Sequence, residues 1–167
     1  LFGGNTRYAR QKVFAAYGLT PDRPPDEAFL QRCRDAGLGD RVAQALWNWA
    51  RARRGAGGDG APVLALAAHF DPDPVRVRIR SWTTPEEVHA GAAALGSIAA
   101  LPPATRTTLA KSLWAEGRDT ARAAEVAGAA ARAHPDDAHA QLLAEDLFVE
   151  LDPPRLDEAL ACATAAV

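Results

Sequence analysis

The run LAKSLWAEG at Leu109–Gly117 is repeated in form by LAEDLFVEL at Leu143–Leu151. Leu, Ala, Leu and Glu hold the first, second, fifth and eighth places of both runs, and an aromatic residue, Trp114 or Phe148, holds the sixth. The two runs begin 34 residues apart. A fixed offset of that size marks a repeated supersecondary unit, which cannot bury its apolar face alone and must stack on a neighbour. This echo constrains the chain more than any other feature.

The residues around the echo predict helices at about Thr105–Glu116, from after Asp119 to about His134, at about Asp137–Leu151, and from Leu156 onward. Gly117–Asp119, HPDDA at 134–138 and DPPR at 152–155 are the breaks between them. A further helix is expected before the first. Thr84 is its cap, Pro85 opens it and Glu87 completes a capping box, with Val88, Ala92, Leu95 and Ile98 as its buried stripe and Pro102–Pro103 as its end.

This pattern resembles the tetratricopeptide (TPR) repeat. The family's Leu, small residue and bulky residue of the first helix match Leu109, Ala110 and Leu113, then Leu143, Ala144 and Leu147. Its turn glycine matches Gly117, its small residues on the second helix match Ala123 and Ala130 and again Ala159 and Ala166, and its closing proline matches Pro135. Short side chains at such places let helices approach closely while larger ones opposite fill the space. The second unit departs from the pattern: it lacks the turn glycine and has two extra residues before its second helix. The resemblance covers about Ala104–Val167. It implies a mainly α fold of antiparallel helix pairs, with a groove along the first helices where a partner's peptide or helix lies. The groove positions fall near Thr107, Lys111 and Trp114, then Gln141, Glu145 and Phe148. Lys111, Trp114, Gln141, Glu145 and Phe148 are the candidate partner-binding residues, with Trp114 foremost because an indole offers area and a donor.

Residues 1–82 read differently. Three short helices are expected: one from an Asn5 cap to Gly18, with Ala9, Val13, Phe14 and Tyr17 inward; one ending at Gly37, with Phe29, Leu30, Cys33 and Ala36 inward; and one capped by Asp40 that buries Val42, Leu46 and Trp49. The glycine-rich GAGGDGAP at 55–62 then breaks the chain. Val75, Val77 and Ile79 alternate with Arg76, Arg78 and Arg80, and this period of two predicts a strand at Val75–Trp82. Val63–Phe70, apolar on both faces, is open to being its β-hairpin partner across DPDP or a helix. The expected organisation is therefore a basic N-terminal helical region, 1–82, and a helical repeat region, 83–167.

Charge follows the same division. Residues 1–82 carry 13 Lys and Arg against 8 Asp and Glu, a net +5, and residues 83–167 carry 6 against 13, a net −7. Arg76, Arg78 and Arg80 form a candidate basic surface, beside clusters at Arg7, Arg10 and Lys12 and at Arg51, Arg53 and Arg54, with Tyr8, Trp47 and Trp49 among them. Aromatics among arginines can hold a nucleic-acid strand. The acidic overall balance and the lack of a recognised nucleic-acid motif disfavour that reading.

Chemistry finds little purchase. His69 in HFDPD lies near Asp71 and Asp73 without further ligands at metal-site spacing. FGGN at 2–5 lacks the lysine and hydroxyl residue of a phosphate loop. No catalytic residue, metal or cofactor is expected. Cys33 and Cys162 read as buried free thiols, and with no apolar run long enough for a membrane span the chain is expected to be cytoplasmic. Seventeen Arg against two Lys among abundant Ala points to a high-GC bacterial source, and a start without Met and a stop inside a helical pattern suggest a piece of a longer protein. The expected function is protein–protein interaction through the groove, with self-association as an option. An accessory domain of a larger enzyme, or nucleic-acid binding through the N-terminal arginines, are the alternatives.

Overall fold

The computed structural model describes residues 12–166, and among them every regular element is helical. The chain divides into two units, with the boundary between Val77 and Arg78. The expected Asn5 cap, Ala9, Tyr8, Arg7 and Arg10 lie outside the described residues.

In the first unit residues 12–16 are helical, followed by α1 (Glu27–Asp35), α2 (Gly39–Gly55) and α3 (Ala61–Phe70). Asp26 caps α1 by accepting from the Phe29 amide at 3.0 Å. Helix α2 starts one residue before its expected cap: Leu38 is the capping residue, without a side-chain bond, and Asp40 sits in the first turn, where its charge favours the helix N-terminus. Gly39 is required here, because a Cβ would lie 2.5 Å from the Phe70 carbonyl oxygen at the end of α3. The three helices pack on one another around Leu30, Cys33, Leu46, Trp49, Val63, Leu66 and Phe70. Phe14 stacks on Trp49 with ring centroids 5.1 Å apart, and Phe29 meets Phe70 edge-on at 6.0 Å. Of the inward face expected for the first helix, Phe14 packs on the core whereas Val13 and Tyr17 are exposed.

The predicted strand is a helix. Residues 74–81 form α4 (Pro74–Ser81), Val63–Phe70 belongs to α3, and no strand or β-hairpin occurs among the described residues. The cause is the start signal. Asp73 accepts from the amides of Val75 at 3.0 Å and Arg76 at 2.9 Å, and Pro74 opens the helix at the position where its missing N–H costs nothing. Val75, Ile79 and Trp82 fit helical spacing as well as Val75, Val77 and Ile79 fit alternation, so the cap decides. Arg76 turns back to Asp71, a fork of two bonds at 2.7 and 2.5 Å that holds its guanidinium charged beyond the usual arginine range. Replacing Asp73 by Ala is expected to cost about 1 kcal/mol through loss of the cap, seen as a lower urea midpoint with an unchanged slope.

Helix α4 spans the boundary, and the second unit continues with α5 (Pro85–Ala94), a short 3-10 turn at Ile98–Ala100, α6 (Pro103–Ala115), α7 (Thr120–Ala133), α8 (Ala138–Val149) and α9 (Leu156–Ala165). The expected capping box is present: Thr84 accepts from the Glu87 amide, and the Glu87 carboxylate accepts from the amide of Thr84. Val88 and Ala92 are buried as expected, while Leu95 and Ile98 are only half-buried. The Trp82 ring lies against Gly91, where a Cβ would run into the indole. Each helix from α5 to α9 packs on the next in sequence. Ala110, Ala123, Ala130, Ala144 and Ala159 are buried, as are Leu109, Leu113, Leu143 and Leu147, whereas Ala166, just past α9, is half-buried. Asp119 and Asp137 cap α7 and α8 through their side chains.

Candidate docking groove

Helices α6 and α8 carry the two echoed runs, and two side-chain bonds join them. The Lys111 ammonium lies 2.8 Å from His139 Nε2, and the Trp114 indole N–H donates to Glu150 Oε2 at 2.6 Å. With Nε2 as acceptor, the ring proton of His139 sits on Nδ1. The Trp114 ring remains 40 % exposed despite its bond. Glu145, one turn before Val149, is half-buried.

The other two candidates on this face have structural partners. Gln141 is buried, and its amide donates to the carbonyls of Ala131 at 3.0 Å and Pro135 at 3.3 Å, tying α8 to the end of α7. Phe148 is buried against Gly128, where a Cβ would lie 2.7 Å from its Cζ, and the Arg155 guanidinium covers the ring at 5.1 Å. Lys111, Trp114 and Glu145 are therefore the candidates that reach the surface. His139 and Glu150 join them, and neither was singled out from sequence. Glu150 was within reach: it is the eighth residue of the echo, matched by Glu116 in the first run.

The three arginines of the candidate basic surface differ in exposure. Arg76 is held by Asp71, Arg80 is buried and Arg78 is exposed, because helical geometry sends alternate residues to different faces. Trp47 and Trp49 are buried, so neither presents a ring for base stacking; Arg51 and Arg53 instead lie over them at 5.3 and 6.0 Å. Among the described residues no three His, Cys, Asp or Glu gather as a metal site, and none of their helices is long and apolar enough to cross a membrane.

A cavity of about 270 Å³ lies between α7, α8 and α9, lined by Gly128, Ala131, Phe148, Ala161 and Cys162, with Arg132 and Glu158 also on its wall. Cys33 is buried and Cys162 half-buried, both as free thiols. Burial pushes the Cys162 thiol above its ordinary pKa, so at pH 8 it holds less of the reactive thiolate than an open cysteine. Alkylation by iodoacetamide is expected to run several-fold slower in the folded protein than in urea; equal rates would mean that the thiol is open. Comparison with protein-family models, with curated proteins and with solved structures finds no match to this chain.

Proposed function

We propose that the second unit of this chain is a protein-interaction module. Two TPR-like pairs, α6–α7 and α8–α9, present Lys111, Trp114 and Glu145 with His139 and Glu150 to a peptide or helix of a partner protein. One observation carries the reading: Trp114 is a large aromatic on a first helix, 40 % exposed, with its N–H already held by Glu150 on the neighbouring first helix. A ring fixed in this way offers contact area without the entropy cost of ordering a free side chain. The TPR-like arrangement is supported by the burial of Ala123, Ala130 and Ala159, three of the four repeated small positions, and by the sequential packing of α6 to α9. The acidic balance of residues 83–167 favours a basic partner segment.

Panning a peptide library against the protein tests the proposal. Selected peptides are expected to lose at least tenfold in affinity on Trp114→Ala, with far-UV circular dichroism unchanged, as for a central aromatic anchor. Peptides that bind the variant as well as the parent would sink the groove assignment.

A further inference from the structure

None of Lys111, Trp114, His139 and Glu150 lines the cavity between α7, α8 and α9, so this space is separate from the groove. Its α9 wall is Glu158, Ala161, Cys162 and Ala165, which share one helical face. The exposed Leu156 and Leu160 are not among its lining residues, so the space lies between helices and not on the open side of α9. Phe148, Gly128 and Ala131 are buried and give it an apolar floor. A Cβ at Gly128 would lie 2.7 Å from Phe148 Cζ and 3.2 Å from Arg132 Nη1, so the ring and the guanidinium meet over that bare backbone. At about 270 Å³ the cavity falls just below the roughly 300–1,000 Å³ of ordinary ligand pockets, which suits a small metabolite and not a peptide.

Three polar groups on the walls have bonding capacity to spare. Gln141 is 4 % exposed, and its Nε2 gives its two hydrogens to the carbonyls of Ala131 and Pro135. Those bonds fix which end of the amide is which, and they leave Oε1 with no donor among the described residues. An acceptor at that depth is costly to leave unbonded. Arg132 makes no hydrogen bond or ion pair among the described residues. Glu158 is half-buried and takes Arg155 on Oε1, while its Oε2 accepts no bond there. Both signs of charge reach the site: Arg132 acts on the Cys162 thiol in one sense, and Glu145 and Glu158 act on it in the other. An anion or a cation alone meets opposition here, whereas a zwitterion with an apolar body matches walls and charges together.

We infer that this cavity binds a free α-amino acid with an apolar side chain. Its carboxylate sits on Arg132, its ammonium donates to Gln141 Oε1 and Glu158 Oε2, and its side chain lies against Phe148, Ala131 and Ala161. The test is calorimetric titration with L-leucine, expected to bind with a Kd of about 1 mM or tighter. 4-Methylpentanoate, which lacks the ammonium, and 3-methylbutylamine, which lacks the carboxylate, are each expected to bind roughly tenfold more weakly or worse. Arg132→Gln and Glu158→Gln are expected to weaken leucine by about fivefold or more, and Ala161→Leu to abolish binding by filling the space. Arg132 and Ala161 are exposed and Glu158 is half-buried, so circular dichroism of all three variants is expected to match the parent. Saturating leucine is also expected to slow iodoacetamide on Cys162 several-fold, which places the ligand at that wall, and Trp114→Ala to leave leucine binding unchanged. The inference fails if leucine gives no binding at about 10 mM or if either analogue binds as well as leucine. It fails equally if Ala161→Leu or both charge variants bind like the parent, or if leucine leaves the Cys162 rate unchanged.

Discussion

Truncating Phe148 to Ala is expected to destabilise the second unit by about 3–5 kcal/mol, as for a large buried aromatic whose cavity cannot fully collapse. The ring is 2 % exposed, fills the gap left by Gly128 and lies under Arg155. Its loss removes apolar burial and the cation–ring contact together. Hydrogen exchange read on peptides from α7 and α8 is the appropriate measure, because it localises the loss. Gly128→Ala supplies an internal check. Alone it forces the ring to move, since its Cβ would lie 2.7 Å from Cζ. Combined with Phe148→Ala it finds room, so the double variant should be less unstable than the sum of the two. Strict additivity would mean that the two residues do not share a contact.

Trp49→Ala is expected to have an effect of the same order, about 3–5 kcal/mol, on the first unit. Trp49 is buried within a cluster drawn from all three labelled helices of that unit, and Phe14 stacks on it at 5.1 Å with the planes 14° apart. The helical residues 12–16 should therefore lose protection along with α2. A Trp49→Phe variant keeps a ring against Phe14 and should recover much of the loss. If residues 12–16 exchange at the same rate in the parent and in Trp49→Ala, the stack does not hold them.

The capping box of Thr84 and Glu87 was legible because it acts by local hydrogen bonds that need no distant partner, whereas the cap expected at Asp40 falls inside the first turn of α2. The error at residues 75–82 arose because VRVRIR satisfies two periods at once, and the Asp73–Pro74 start signal was given too little weight against the alternation. The burial of Arg80 could not be read from that pattern, since it depends on how α4 is oriented. The echoed aromatics make the same point at the candidate site. Trp114 and Phe148 hold identical places in their runs, yet one is largely open and the other buried. Phe148 fills the space beside Gly128, a residue that lies outside either run.

The two bonds between α6 and α8 bear on the timing of encounter. Trp114 and Lys111 are already held in one geometry by Glu150 and His139. On the proposed reading of this face, an incoming segment has no rotamer search to await, so docking there should follow single-step kinetics. Differences in affinity among related segments should then appear chiefly in how long each one stays rather than in how fast it arrives.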